Sequence, residues 1–170
     1  MNSPYPEVTI GSLASPEKGA FKIGPFGSSL KKAELVEDGI PVVGIENILP
    51  NQFMSSFRKF ITPAKFKELS QYKIEPFDIL VTTMGTIGRS AVAPQNVGIA
   101  IIDSHLFRMR VDRKRIEPAY LCYALNGYAP LMKQIKNKSV GAIMAGLNTT
   151  ILRECTIPLP PLNKQLSIVD

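Results

Sequence analysis

The stretch DILVTTMGTIGRS, Asp78 to Ser90, runs from an apolar segment through paired threonines into a Gly-Thr-Ile-Gly turn and an arginine. Hydroxyls on Thr82, Thr83 and Thr86 offer donors and acceptors. Arg89 offers a planar fork that matches a phosphate or a guanine edge. Glycines without a Cβ let a backbone approach another molecule closely, or simply supply the positive φ of a tight turn. The stretch lacks the spacing and the Gly-Lys-Ser/Thr ending of a P-loop, and it is not G-x-G-x-x-G. A phosphate cradle, a catalytic loop, a DNA-reading loop and a plain β-turn all stay open on these residues. GPFGSSLKK, Gly24 to Lys32, poses the same choice. Ser28, Ser29, Lys31 and Lys32 are phosphate donors in one reading and solvated surface residues in the other.

Other chemistry is poorly served. One histidine, His105, and two distant cysteines do not assemble a zinc-type ligand set. Asp103, Ser104 and His105 are adjacent, but successive residues on a strand point to opposite faces, so adjacency makes no relay. No G-x-S-x-G nucleophile elbow is present. His105 reads as a strand-end histidine with a local hydrogen bond, or as one that lies near DNA. Asp78 reads as a turn or capping residue. Cys122 and Cys155 are too few for a disulfide framework and read as reduced thiols of a cytoplasmic protein, Cys122 in the core.

The chain carries 20 Lys and Arg against 14 Asp and Glu, a net charge of +6. The cations fall in four groups: Lys22, Lys31 and Lys32; Arg58, Lys59, Lys65 and Lys67; Arg108, Arg110, Arg113, Lys114 and Arg115; and Lys133, Lys136 and Lys138. A nucleic acid is one partner that such groups suit, and an acidic protein is another. Arg108 and Arg110, at i and i+2 on a strand, share one face, and that face reads as solvated.

The elements that must position these residues follow from pattern. A chain of 170 residues is one domain in the simplest reading and can bury roughly 70% of its unfolded surface. No window has the roughly 20 apolar residues of a membrane span, and the N-terminus lacks the layout of a signal peptide. EVTIGSL, IPVVGIENI, FRKFITP, FDILVTT, RSAVAP, VGIAIID and HLFRMRV read as strands. A short helix is expected near Lys31 to Val36. AKFKELSQY is helical with Phe66 and Leu69 on one face. EPAYLCYALNG has proline near a helix start and glycine near its end. APLMKQIKNK is a second helix with Leu131, Met132 and Ile135 inward. VGAIMAGLNTTIL resists assignment, and CTIPLPPL is extended because residues before proline avoid the helical region. PPLNKQLSIVD begins another helix, with Leu162, Leu166 and Val169 in one apolar stripe. Strands first and helices after predict an α+β fold with a mixed, mostly antiparallel twisted sheet.

GPFGSSL, DGIPVVGIENI, FDILVTTMGTIGRSAV, LFRMRVD…PAYLCYAL and IPLPPLNKQLSIV occur here in the order found in target recognition domains. From about Val8 to Asp170 the chain resembles these domains of the DNA specificity subunits of type I restriction–modification systems. Two positions depart from the family pattern. Its usual Gly-Asp is Phe77-Asp78 here, which bears on a turn. Its usual Glu-Gln is Lys164-Gln165, which bears on a contact at a helix start. The resemblance implies a non-catalytic reader of half a split duplex DNA target, over residues 1–159. Residues 160–170 would then begin a spacer and assembly helix. It implies a partner methyltransferase subunit, which carries S-adenosylmethionine, and a restriction and translocase subunit, with no cofactor or metal on this chain. The other half-site would come from self-association or a second recognition domain. Ser28, Ser29, Lys31, Lys32, Arg58, Lys59, Thr82, Thr83, Thr86, Arg89 and His105 are then the DNA-contact candidates, and Leu162, Leu166 and Val169 the assembly candidates. A fragment of a fused restriction–methyltransferase enzyme and a basic protein-interaction module remain the alternative readings.

Overall fold

Strands β7 and β10 are the centre around which the chain is built. In the computed structural model, which describes residues 3–139 and 147–170, both are buried along their whole length. The elements in chain order are β1 (Glu7–Thr9), β2 (Phe21–Ile23), β3 (Ile40–Val43), β4 (Ile48–Leu49), β5 (Gln52–Phe53), β6 (Phe60–Ile61), α1 (Pro63–Glu68), β7 (Ile79–Thr82), β8 (Ser90–Val92), β9 (Ile101–Ile102), β10 (Leu106–Met109), α2 (Pro118–Gly127), α3 (Ala129–Ser139), α4 (Thr149–Glu154), β11 (Thr156–Pro158) and α5 (Leu162–Val169). The fold is α+β with mainly antiparallel pairing, as expected. Among the described residues its strands are shared among four small sheets ordered β2-β10-β7-β8, β6-β3-β9, β4-β5 and β1-β11, with β3 and β9 parallel.

A sheet covered on both faces needs near-continuous apolar strands, and ILVT and LFRM supply them. Phe107, Met109, Ile79 and Val81 face a core closed by α2, α3 and α4, where Phe21 and Phe107 meet edge to face at 5.7 Å. Leu80, Ala91 and Leu106 face the other way, against Val43, Ile48, Ile74 and Ile102. Helix α2 runs from Pro118 to Gly127, as the proline and glycine predict. Residues 140–146, most of the segment that resists assignment, lie outside the described residues. Asn148 beyond them caps α4 by accepting from the Ile151 N–H at 2.8 Å.

Several expectations need correction. The first strand stops at Thr9, and Ile10–Leu13 form a 3-10 turn that buries Ile10 and Leu13. Gly11 lets α4 pack closely on this turn, since a Cβ there would lie 3.0 Å from the Arg153 carbonyl oxygen. The short helix expected near Lys31 to Val36 is a single 3-10 turn at Lys32–Glu34. Met132 is 39% exposed rather than inward, because only Leu131 of α3 reaches the core fully.

The largest correction concerns Arg108 and Arg110. Arg108 is only 4% exposed, and its guanidinium donates to the carbonyls of Gly19, Gln71 and Lys73. Arg110 grips Asp78 with two bonds of 2.7 and 2.9 Å. Asp78 also accepts the Glu75 N–H at 2.7 Å, so it is a turn residue, as read, and an ion-pair partner as well. The preceding Phe77 has φ 69°, the left-handed region that favours glycine. Its ring lies 3.8 Å beneath the Arg113 guanidinium, a stacking contact glycine cannot make.

Candidate nucleic-acid interface

The strand pairings bring several loops to one end of the molecule. Ile23 pairs with Phe107, Thr82 with Leu106 and Val81 with Ser90 in antiparallel register, and Val43 pairs with Ile102 in parallel. The C-terminal ends of β2, β3, β7 and β9 therefore lie beside the N-terminal ends of β8 and β10. Four loops leave from this end: 24–29, 44–47, 83–89 and 103–105. They touch. The Thr83 N–H and hydroxyl both donate to the His105 carbonyl, at 2.9 and 3.0 Å. The Gly24 N–H donates to the Leu106 carbonyl at 3.0 Å, and a Cβ on Gly24 would sit 1.8 Å from the Asp103 carbonyl oxygen. Only glycine lets these two backbones pass.

The 83–89 loop is closed on itself. The Thr82 hydroxyl donates to the Thr86 carbonyl at 2.5 Å, and the Gly88 N–H donates to the Thr82 carbonyl at 2.9 Å. Gly85 and Gly88 have φ of 68° and 86°. Thr82 is thus fully buried and consumed inside the loop, a correction to its reading as a ligand contact. Thr86 is exposed, Thr83 and Arg89 are half-buried, and Met84 and Ile87 stand 54% and 45% exposed at the tip. The Arg89 Nε is a buried donor with no acceptor among the described residues.

In the 24–29 loop Phe26 is 61% exposed. Ser28 and Ser29 are exposed on a 3-10 turn, and Lys31 and Lys32 follow, also exposed.

A polar cluster lies where loops 44–47 and 103–105 meet. Lys59 Nζ is 2.7 Å from Asp103 Oδ2 and 3.5 Å from Glu46 Oε1. Asp103 Oδ1 accepts the His105 N–H at 2.9 Å, and the His105 Nδ1 is 3.6 Å from Asp103 Oδ2. A Cβ on Gly44 would fall 2.4 Å from Glu46 Oε2 and 2.7 Å from Lys59 Nζ, so the cluster fills the space that glycine leaves. Asn47 holds the turn, accepting the Gly44 N–H and donating to the Met54 and Ser56 carbonyls. Burial alone would depress the Lys59 ammonium, but the hydrogen bond and charge of Asp103, with Glu46, outweigh it and raise its pKa. Lys59 is therefore a neutralised strut rather than a free phosphate donor, which corrects its reading. Arg58 beside it is exposed.

The end of the molecule thus combines exposed apolar tips, hydroxyls and cations. Apolar side chains suit thymine methyls, Arg suits guanine or phosphate, and Ser and Thr suit either. The sequence reading passed over Phe26, Met84 and Ile87. The signal was available, since an apolar residue next to a glycine in a short loop has no partner face to bury against.

The C-terminal candidates divide. Leu162 and Leu166 are 36% and 46% exposed, with Ile168 beside them at 45%. Val169 packs instead on the domain's own core. The face of α5 turned inward is set by Gln165, which is fully buried. Its side chain accepts the Glu117 N–H at 2.8 Å and donates to the carbonyls of Pro160 and Arg115 at 2.8 and 3.1 Å. Val169, four residues on, shares that face, so the expected stripe is split. Among the described residues no helix is long and apolar enough to cross a membrane, and no three His, Cys, Asp or Glu side chains gather as a metal site.

Comparison with known proteins follows the same outline. Residues 19–170 match the family described as type I restriction modification DNA specificity domain. A curated protein of Methanocaldococcus jannaschii, assigned as the MjaX specificity subunit of a type I restriction enzyme, is 27% identical over 135 residues, 76% of this chain and 31% of that one. The HsdS subunit from Thermoanaerobacter tengcongensis superposes with a TM-score of 0.67 at 20% identity, covering 99% of this chain and 37% of that chain. The type I restriction-modification S subunit from M. genitalium gives a TM-score of 0.56 at 18% identity, over 94% and 35%. This chain therefore spans about a third of the length of the relatives it matches.

Proposed function

The chain belongs to the type I restriction modification DNA specificity domain family, and from that membership we propose that it reads one half of a split duplex DNA target through the loop end. The observation that carries the reading is the convergence of loops 24–29, 83–89 and 103–105. They leave Phe26, Met84, Ile87, Ser28, Ser29, Thr86 and the Arg89 side chain at the surface, wholly or in part. Residues 1–159 form the reader, and residues 160–170 begin the spacer helix. The reader performs no chemistry. A methyltransferase subunit brings S-adenosylmethionine and methylates adenine, and a restriction and translocase subunit is recruited for cleavage. Self-association or a second recognition domain supplies the other half-site. The complex works in the cytoplasm.

Duplex binding measured across a range of salt tests the proposal. Each neutralised phosphate contributes a slope of about −0.9 in log affinity against log salt. We expect several such units, with affinity visible first at low ionic strength. No binding at low salt, or an affinity that ignores salt, defeats the reading. Highly purified chain incubated with DNA and S-adenosylmethionine is expected to transfer no methyl group.

A further inference from the structure

A second basic feature lies away from the loop tips. A cavity of about 520 Å³ opens between β2, β10 and the turn at Ser70–Tyr72. Lys18, Lys22, Lys73, Arg108, Arg110 and Gln71 line it, and Glu75 brings one carboxylate to its wall. Lys22 and Arg108 are cross-strand partners on the same sheet face. Arg108 is the fixed member, held by three backbone carbonyls. Lys22 is tethered to Gln71 Oε1 at 2.7 Å and lies 5.4 Å from the Tyr72 ring centroid.

The local charges do not balance. The nearby carboxylates are Asp78, Glu75 and Glu17, and all three crowd Arg110, at 2.7, 3.6 and 3.4 Å. Glu75 is also 3.5 Å from Lys73. Asp78 approaches Arg108 only to 3.9 Å. Among the described residues neither Lys18 nor Lys22 has a carboxylate within 4 Å. Burial and the neighbouring Arg110 both press the Arg108 guanidinium below its ordinary pKa, the direction an anion in the cavity reverses. Two ammonium groups without a carboxylate partner, beside a rigid guanidinium, suit a phosphate, which accepts point charges and forked donors alike.

We propose that this cavity is a phosphate-binding site, and that it seats one backbone phosphate of the duplex flanking the bases read by the loop end. Lys22 precedes Gly24 by two residues, and Arg108 follows His105 by three. At about 3.3 Å per strand residue the near edge of the cavity, at Lys22 and Arg108, lies roughly 7–10 Å from the loops, within reach of the same duplex. The placement on DNA rests on the reading proposed above; the phosphate site itself does not.

Two arms test it with Lys18→Gln and Lys22→Gln combined. Both are side chains at least partly open to solvent, so the domain keeps its fold, whereas replacing Arg108 would disturb the core. In the first arm, inorganic phosphate is titrated against chloride at constant ionic strength while amide resonances are followed. The Gly19 and Gln71 signals are expected to move in the wild type and stay still in the double variant. No movement beyond that in chloride, or movement the variant retains, overturns the site. In the second arm, the salt slope on a non-target duplex is expected to lose about 0.9. Phosphate binding lost without a change in slope upholds the site for a free phosphoanion and overturns its placement on DNA. If the wild type binds no duplex at all, the DNA reading fails while the first arm still decides the cavity.

Discussion

Replacing Gln165 by alanine should detach α5 without unfolding the body. Three hydrogen bonds end on this one side chain, to Glu117, Arg115 and Pro160, and all of it is buried. At about 0.5–1.5 kcal/mol net for each bond, their loss spans roughly 1.5–4.5 kcal/mol. Arg115 is exposed and Glu117 half-buried, so the freed backbone groups regain water when the helix lifts. The lower part of the range, about 2 kcal/mol, is therefore expected. A helix of 8 residues is too short to persist unclamped. Val169 should leave with it, and Gln165→Ala should then match a deletion of residues 162–170. Urea unfolding followed by circular dichroism checks this. With an m-value of about 2 kcal/mol/M, the midpoint should fall by about 1 M in both proteins. A double change of Leu162 and Leu166 to serine should leave the midpoint in place, since both side chains are exposed, yet weaken self-association or methyltransferase binding. A wild-type midpoint for Gln165→Ala, or a deletion much less stable than it, refutes the clamp. Unaltered association in the serine variant refutes the assembly surface.

Arg89→Ala should weaken duplex binding by about 1–3 kcal/mol in a sequence-dependent way if Arg89 reads a base, and uniformly with a smaller salt slope if it holds a phosphate. Wild-type affinity on every duplex rules out both. Asp78→Ala removes the carboxylate that grips Arg110, leaving it only the more distant Glu17 and Glu75, and takes from Arg108 its nearest counter-charge; it should lower unfolding stability by about 3 kcal/mol, the low end for a broken buried pair, and a loss under about 1 kcal/mol contradicts the buried-pair account. Phe77→Gly relieves a left-handed residue at about 1–2 kcal/mol. It forfeits about 0.5–1 kcal/mol of cation stacking and adds about 0.5–1 kcal/mol of unfolded-state freedom. It should therefore stay near the wild type, while Phe77→Ala keeps the strain, loses the stacking and falls below it; the reverse order sinks the argument. Burial raises the pKa of both Cys122 and Cys155 above the ordinary 9.0. Their neutral thiols favour the fold in full below that value, and this contribution declines as pH rises through the raised native values. Native protein should thus resist thiol reagents at pH 8 and react at both sites only when unfolded.

Local pattern was enough for much of the fold. The runs ILVT and LFRM announce strands because they are apolar at every position, and Pro118 and Gly127 bracket α2 through backbone preferences that need no distant partner. The ordered motifs, not any single one, pointed to the family, and the loops they contain do converge. Polar residues were a different matter. Lys59 and Asp103 are 44 positions apart, Arg108 and Gly19 are 89 apart, and Gln165 and Glu117 are 48 apart. A lysine reads the same in sequence whether it faces a phosphate or an internal carboxylate. Its role depends on burial and on the partner that long-range pairing brings to it. Thr82 fell to the same cause, since a hydroxyl at a strand end serves a ligand or its own loop according to which way the turn closes. The stripe at Leu162, Leu166 and Val169 was legible as an amphipathic helix. Which side of that helix faces the body was decided by Gln165, because three hydrogen bonds to fixed backbone groups orient a short helix more strongly than one apolar contact does.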